Sequence, residues 1–475
     1  MPIRAPLGMS IMKNTLRSKL VLTLLLVSLI VGLCACTSQT QTEQTGAQTT
    51  EAPTEVSTEV TTEAPTEEST EETYVLSANS PLDGLPEYTY DSWEYYWDMG
   101  NGAEMLVYTA ENGDGYTQYL TDLEAAGYTL YAENEIEGNL FSTWTDDDTN
   151  VTLMYSPGLE NVRILAEPAG ALPGLEADNV YTDAGVENVI TMVGVNYDGE
   201  TTNGMCFIYR LCDGSFIIVD SGFNQTACAD AIYETLCELA PDPDNIVIAS
   251  YFITHAHADH VGGFYAFASA YADKVTVEQI VYNYPTAESF TLSDTSTGHI
   301  TKTLQHAAYF EGAEIIEAHP GQVFYLRDLV IEILYTWDLY PSNTIDYMNN
   351  SSLVFTITFD DADSTQMIHL GDCGPYTSRI LMLMYNETLK SDIIQVAHHG
   401  YKGASEALNI AIDADVILWP ASQTIYSKEL YDASFRNRPF WNAENLYVAD
   451  TIATVIPIPF DAEAVQTWEL YDTAK

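Results

Sequence analysis

The segment 254–260 constrains the fold and the chemistry of this chain more than any other stretch. It follows an apolar run that predicts a strand, and a Gly-Gly pair just after it opens a predicted helix. Its metal-binding groups are three imidazoles and one carboxylate, from His255, His257, Asp259 and His260. Burying them together without a metal would cost several kcal/mol for each unpaired group. The segment therefore predicts a metal site on a strand-to-helix turn, with alternate side chains converging, and these donors suit Zn²⁺, Fe or Mn²⁺.

Strands and helices alternate through the rest of the chain from residue 177 onward. Apolar runs of strand length lie at 205–211, 215–220, 247–253, 277–282, 329–335, 353–359, 366–371, 393–397 and 415–419. Helical patterns lie near 225–240, 261–272, 301–311, 376–387 and 404–412. Interleaved elements of this kind predict a layered α/β domain over 177–475, with a sheet core between helices.

Residues 76–176 differ in composition and predict a small α+β accessory domain. Helix 115–126 is expected to end at Gly127, with strands at 106–108, 138–145 and 150–155. Six aromatic residues crowd the first part, namely Tyr88, Tyr90, Trp93, Tyr95, Tyr96 and Trp97. They either pack a small core or form a platform for a glycan or choline, since aromatic faces hold quaternary ammonium groups. The Pro- and Gly-rich stretch 166–174 predicts a linker to the next domain.

The N-terminus has the pattern of an export signal followed by a spacer. Basic residues precede the apolar run 20–33, which is short for a membrane span, so residues 1–35 predict a signal peptide. Residues 36–75 consist mainly of Thr, Glu, Pro, Ser and Gln, and the string TEAPTE occurs at 50–55 and again at 62–67. This composition cannot bury an apolar face, and it predicts a disordered linker.

The charge balance narrows the choice of partners. Sixteen Lys and Arg stand against 69 Asp and Glu, a net charge of −53. Such a chain repels polyanions unless a local basic patch overrides the field, so nucleic acid is not favoured as a partner. The seven cysteines include no CxxC pair, which argues against a zinc ribbon or a disulfide framework.

Four elements in order resemble the metallo-β-lactamase-fold hydrolases. The HxHxDH signature is met at 255–260, an upstream strand ends in Asp220-x-Gly222, and a downstream strand ends in Gly371-Asp372. The His398-His399-Gly400 element resembles the branch of ComEC-type competence proteins and bacterial surface phosphorylcholine esterases. The resemblance implies a four-layer αββα sandwich. Separately, the string LCAC at 33–36 resembles a bacterial lipobox. The resemblance implies a lipid anchor on Cys36 and a place on the extracytoplasmic face of the cell membrane.

The resemblance also implies which residues bind metal. One site would use Asp259, His260, Asp372 and one of His398 or His399, while the other would use His255 and His257 with Asp372 shared. The second site lacks the further histidine that most two-metal members supply, and the interval offers only His299, His306, His319 and His369. Water, substrate or Asn350 would complete it. One or two Zn²⁺ ions are expected, with Mn²⁺ or Fe as alternatives.

The expected reaction is hydrolysis by a metal-activated water. Asp259 would face that water, and whichever of His398 and His399 does not bind metal would donate to the substrate or leaving group. Lys402 is a candidate phosphate contact. The expected substrate is a small or polymeric anionic surface molecule, a phosphodiester or related ester. Two alternatives stay open, a glycan- or choline-binding surface lipoprotein with a structural metal site and a DNA-processing competence-type nuclease.

Overall fold

The computed structural model of the chain describes residues 80–197, 203–286, 297–340 and 347–471. The predicted signal peptide 1–35, the lipidation candidate Cys36 and the predicted linker 36–75 lie outside the described residues. Within the described ranges, no helix combines the length and the apolar character needed to cross a membrane.

In the described part of the chain, the first sheet has six antiparallel strands in the order β1-β2-β6-β5-β4-β3. They are β1 (Ser92–Gly100), β2 (Ala103–Thr109), β3 (Thr129–Ile136), β4 (Asn139–Thr145), β5 (Thr149–Ser156) and β6 (Asn161–Pro168). Helix α1 (Asp114–Ala126) packs on one face and ends at Gly127, whose φ of 102° suits the left-handed cap. The predicted helix and its glycine stop are confirmed. The predicted linker 166–174 begins inside β6, because the strand continues to Pro168.

The crowded aromatic residues divide between two packing environments. Tyr88 joins the core under α1, where its ring lies 5.1 Å from that of Tyr119. Trp97 faces the opposite way and packs edge-on against Trp337 at 5.0 Å. Within β1, Tyr96 packs against the core under α1, whereas Tyr95 and Trp97 pack against the other core, because alternate residues of a strand point to opposite faces. Most of the expected platform is therefore core, and only Tyr90 and Trp93 stay more than a third exposed.

The second sheet has nine strands within the described residues, ordered β13-β12-β10-β9-β8-β7-β21-β22 with β11 beside β10. Its strands are β7 (Val189–Val193), β8 (Phe207–Arg210), β9 (Phe216–Val219), β10 (Ile246–Phe252), β11 (Val275–Val277), β12 (Gln279–Tyr282), β13 (Glu314–Glu317), β21 (Ile452–Pro457) and β22 (Gln466–Glu469). Three helices follow its strands, α2 (Thr226–Leu239), α3 (Ala258–Tyr271) and α4 (Thr297–Ala307).

The third sheet has seven described strands in sequence order, from β14 to β20. They are β14 (Val323–Leu326), β15 (Leu329–Tyr335), β16 (Val354–Phe359), β17 (Gln366–His369), β18 (Ile393–Gln395), β19 (Val416–Trp419) and β20 (Asn445–Val448). The associated helices are α5 (Tyr347–Asn350), α6 (Pro375–Met384), α7 (Glu406–Ile412) and α8 (Gln423–Glu429).

The second and third sheets pack face to face. Alternate residues of their strands point into the core between the sheets or into the core under the helices. Ile218 of β9 packs outward against α2 and α3, whereas its neighbours Ile217 and Val219 pack inward against strands of the third sheet. On the third sheet, Ile394 of β18 packs outward against α6 and α7. The result is helix, sheet, sheet, helix, and the predicted four-layer αββα sandwich is confirmed.

Candidate metal centre

The predicted metal ligands come from three turns that follow strand ends. The turn from β10 into α3 carries His255, His257, Asp259 and His260. The turn after β17 carries Asp372, and the turn after β18 carries His398 and His399. Strands β17 and β18 are parallel, so their carboxyl ends meet at one edge of the third sheet.

One donor group consists of His255, His257 and Asp372, whose ligand atoms all lie within 4.8 Å of one another. Nε2 of His255 is 3.0 Å from Nδ1 of His257 and 3.8 Å from Oδ2 of Asp372. His255 and Asp372 are buried, while His257 is partly open. Two imidazole nitrogens and a carboxylate oxygen thus converge at the end of β10.

A second donor group lies beside it and consists of Asp259, His260 and His399. Nε2 of His260 is 3.2 Å from Nε2 of His399, which is 3.5 Å from Oδ2 of Asp259. Asp259 sits with His260 rather than with His255 and His257, because α3 begins at Ala258 and ends the alternation of a strand. Asp372 connects the groups, since its Oδ1 is 3.1 Å from His260 Nε2 and its Oδ2 is the oxygen near His255.

Hydrogen bonds fix the orientation of the imidazoles in the second group. Nδ1 of His399 donates to the carbonyl of Pro420 at 2.6 Å, and Nδ1 of His260 lies 2.7 Å from Oδ2 of Asp220. A carbonyl oxygen can only accept, so the His399 proton is on Nδ1. Asp220 also accepts from the backbone and hydroxyl of Thr254, and it thereby orients the ligand turn.

These tautomers make the group suitable for a cation. With protons on both Nδ1 atoms, the Nε2 lone pairs of His260 and His399 face each other beside the Asp372 carboxylate. Burial lowers the pKa of His260, but Asp372 and Asp220 outweigh it and hold that pKa well above its usual range. Burial raises the pKa of Asp372, but His260, His399 and His398 hold it well below its usual value. The carboxylates thus favour positive charge at the Nε2 atoms, which either a bound proton or a divalent metal ion would supply, and a divalent metal ion fits this set of ligands.

The backbone of the histidine pair is unusual. His398 and His399 both have φ of 52°, and Gly400 follows with φ of 85°. Left-handed conformations are costly for residues with a Cβ and cluster at functional sites. Nε1 of Trp419 donates to the His399 carbonyl at 2.8 Å, and a Cβ on Gly400 would lie 2.0 Å from the Trp419 ring. This turn directs the His399 side chain toward Asp259 and His260 in the second donor group. The His398 side chain lies outside that group, beside Asp372.

His398 and Asn350 take different positions at the centre. Nε2 of His398 is 3.8 Å from Oδ2 of Asp372 and 3.5 Å from Nδ2 of Asn349, a neighbour that sequence reasoning missed. Oδ1 of Asn350 instead accepts from the backbone of Gly374, so this residue orders the turn after Asp372. The Asn350 side chain therefore supports the loop beside the donor groups.

The remaining candidates lie outside the two donor groups. Lys402 is exposed beyond the histidine turn. His319 pairs with carboxylates elsewhere, His306 bonds the Lys302 carbonyl, and His369 is buried in the core with a pKa lowered to about 3 by burial. Burial, Lys302 and His257 lower the pKa of His299, whereas Asp259 opposes them. His257 and Asp259 thus both influence the pKa of His299.

The comparison with family models decides the assignment. Residues 201–398 match the model described as "Metallo-beta-lactamase superfamily". The chain contains a metallo-beta-lactamase superfamily domain. This match and the His/Asp donor groups identify a metal-dependent hydrolase. No curated protein matches the chain.

Several solved structures are similar at low identity. The metallo-beta-lactamase fold protein YhfI from Bacillus subtilis has 11% identity and a TM-score of 0.33, covering 59% of this chain and 99% of its own. CmlA, a diiron beta-hydroxylase from Streptomyces venezuelae, has 12% identity and a TM-score of 0.35, covering 57% and 54%. Unliganded yeast PDE1 has 13% identity and a TM-score of 0.33, covering 55% and 97%. At these values the likenesses say nothing about substrate.

Proposed function

We propose that the chain is an exported, lipid-anchored hydrolase that uses a metal-activated water to cleave a phosphodiester or related ester outside the cell. The observation that carries the proposal is Asp372, which reaches both donor groups: its Oδ1 is 3.1 Å from His260 Nε2, and its Oδ2 is 3.8 Å from His255 Nε2 and 3.7 Å from His399 Nε2. Two adjacent groups sharing a carboxylate are typical of two-metal sites that act on phosphoryl groups. Zn²⁺ is the metal we propose, because imidazole and carboxylate donors suit it, with Mn²⁺ or Fe as alternatives.

The residues divide into ligands, a proton donor and supports. Divalent ions held by the two groups would supply an acidified water and would neutralise charge on the attacked phosphorus. Asp259 and Asp372 would face that water as ionised carboxylates. Burial raises the pKa of each carboxyl group, but the neighbouring imidazoles lower it by more, so the net pKa is below its usual value. His398 lies outside both donor groups and beside Asp372, so it is placed to give a proton to the leaving oxygen.

The location and organisation of the chain remain part of the proposal. The lipobox at Cys36 would tether the protein to the extracytoplasmic face of the cell membrane, and residues 36–75 would act as a spacer. Residues 76–176 would form an accessory domain ahead of the hydrolase domain 177–475. The net charge of −53 supports a small anionic substrate at a local site over a nucleic-acid polymer.

The test is a combined measurement of metal content, turnover and membrane attachment. We expect the full chain to hold one or two Zn²⁺ ions and to hydrolyse bis-p-nitrophenyl phosphate or a phosphorylcholine ester faster than nitrocefin. Cys36→Ser should move the chain from the membrane fraction to the soluble fraction. A metal-loaded chain that turns over none of these esters would contradict the hydrolase proposal, and cleavage of single-stranded DNA instead would favour the nuclease alternative.

A further inference from the structure

Arg163 is a buried cation for which the structure gives no acidic partner. It lies on β6 and is only 6% exposed. Its Nη1 donates to the backbone carbonyl of Asp338 at 3.0 Å, and its Nε is buried with no hydrogen-bond partner among the described residues. Neither Arg163 nor Arg379 forms an ion pair with a described carboxylate, although acids outnumber bases 69 to 16 in the chain. A buried charge without a counter-ion is costly and points to a ligand that supplies one.

Further polar groups surround this guanidinium. Tyr95, Val107 and Arg163 form one row across β1, β2 and β6, and the hydroxyl of Tyr95 is also buried without a hydrogen-bond partner in the described part of the chain. Tyr376 is 37% exposed at the start of α6. Burial raises the pKa of Tyr376, whereas the positive charges of Arg163 and Arg379 oppose the rise. Tyr376 and Arg379 are three residues apart on α6 and therefore share one face of that helix.

Two residues at this cluster, Asp338 and Tyr376, follow strand ends at the same edge of the third sheet as the metal ligands. Asp338 follows the C-terminal end of β15, which runs parallel to β17 because both are antiparallel to β16. The end of β17 leads to Asp372, and Tyr376 lies four residues further along. The ring of Tyr376 packs edge-on against that of Tyr340 at 4.5 Å, so the segments that follow β15 and β17 are in contact at this edge.

We propose that Arg163, Tyr95, Tyr376 and Arg379 form a subsite that binds a second oxyanion of the substrate, such as a phosphate distal to the cleaved ester. The inference rests on the proposed function for the identity of the ester, and it adds that the six-stranded sheet contributes to substrate choice. A guanidinium fork matches the geometry of phosphate oxygens. The exposed Arg379 and Tyr376 give the subsite its open side.

The kinetic test compares two esters that differ only in the distal anion. The p-nitrophenyl ester of thymidine 5′-phosphate lacks it, and the same ester with a 3′-phosphate carries it. With the full, metal-loaded chain, Arg163→Gln should raise KM for the 3′-phosphorylated ester about tenfold with kcat unchanged, because a charged hydrogen bond is lost. KM for the simple ester should stay within about twofold. Arg163→Lys should recover part of the loss, since it restores the charge without the fork.

A binding measurement separates this inference from the proposed function. By calorimetry, the chain should bind thymidine 3′,5′-bisphosphate about tenfold more tightly than thymidine 5′-phosphate, and Arg163→Gln should remove that preference. If neither ester is hydrolysed but the preference is present and depends on Arg163, the proposed function fails and the subsite stands. If the wild-type chain shows no preference, the subsite is overturned whatever the esters do.

Controls address a structural role for the buried arginine. Arg210 is a matched control, because its guanidinium bonds the backbone carbonyls of Glu187 and Leu239, and Arg210→Gln should leave the preference intact. An equal rise of KM for both esters in Arg163→Gln would mean that Arg163 only positions the Asp338 loop. If that variant does not fold, the exposed Arg379→Gln variant decides, and an unchanged preference there would overturn the proposal.

Discussion

In the described part of the chain, two buried clusters combine histidine with carboxylates, the metal centre and a cluster around His319, and of these two only the metal centre is arranged to hold a metal. In the second donor group, two imidazoles have Nδ1 bonded to an acceptor and turn Nε2 toward each other. In the His319 cluster, made of Glu167, His319 and Asp338, one imidazole has a carboxylate at each nitrogen, at 3.2 Å and 2.8 Å. A protonated His319 satisfies both acids, so no converging set of atoms is left for a metal ion.

The difference shows that the direction of the lone pairs matters more than the residue types. The His319 cluster joins the six-stranded sheet, through Glu167, to the loop after β15, through Asp338. Asn283 completes it by donating to Asp338 Oδ1 at 3.1 Å. It is an internal ion pair that connects parts of the fold, whereas the two donor groups at Asp372 leave ligand atoms directed at a common space.

The largest effect should come from removing a ligand of the second donor group. His260→Ala deletes the nitrogen that faces both Asp372 and His399, so metal content should fall and ester hydrolysis should drop by about 10³-fold or more, since metal stabilisation is several kcal/mol. Metal analysis and steady-state kinetics check this. His306→Ala is the matched control, because this half-buried histidine of α4 lies outside both donor groups. A rate within tenfold of the wild type would contradict the assignment.

The corresponding change in the His319 cluster should affect stability rather than metal content. His319→Ala leaves Glu167 and Asp338 without their partner in a largely buried setting, and breaking a buried pair costs about 3–5 kcal/mol. Urea unfolding monitored by tryptophan fluorescence measures the loss. Zinc per chain should stay at the wild-type level in the fraction that is folded. Loss of zinc with unchanged unfolding would show that the two clusters have been assigned the wrong way round.

Metal removal should produce a smaller change that is independent of the His319 cluster. A ligand at one hundred times its Kd stabilises the folded state by about 2.7 kcal/mol, so chelation should lower Tm accordingly. Because distant sites usually contribute additively, the shift should be the same in His319→Ala as in the wild type. Differential scanning calorimetry with and without chelator tests this. A shift that disappears in His319→Ala would show that the clusters are coupled.

Much of the fold was predictable because its signals are local. The helix predicted at 225–240 spans Thr226–Leu239, and its apolar face is visible in the sequence. Strand β1 was missed, because the aromatic run in it faces two different cores and shows no simple alternation. The continuation of β6 to Pro168 was also missed, since the Pro and Gly that follow the strand suggested an earlier end.

The metal ligands that are contiguous in the sequence were predictable. The ligand whose orientation depends on an unusual backbone conformation was less so. Residues 255–260 share one turn, so their spacing was informative. The sequence alone does not choose between His398 and His399, because the choice depends on consecutive left-handed residues and on a hydrogen bond from Trp419 to the His399 carbonyl. Asn349 and Arg163 come from distant parts of the chain, and no sequence pattern connects them with the centre.

The smallest change per step is a pH dependence of stability, up to about 1.4 kcal/mol per pH unit for each proton, and it should distinguish the two clusters. Burial lowers the pKa of His319, but Glu167 and Asp338 outweigh it and hold that pKa well above its usual range of about 6.5. A pKa raised by folding gives stability that is complete below the unfolded pKa and is lost as pH rises through the folded pKa. Burial and Glu167 raise the pKa of Glu317 to about 8, so its ionisation acts in the same direction.

Unfolding free energy at saturating metal should therefore fall as pH rises above about 6.5, with a slope of up to about 1.4 kcal/mol per pH unit for each proton released. His319→Gln keeps a polar side chain but cannot carry the proton, so its profile should be flatter over this range. Subtracting the two profiles removes the pH dependence of metal binding, which both proteins share. Parallel profiles would mean that His319 is neutral in the folded chain, and the contrast between the two clusters would then rest on geometry alone.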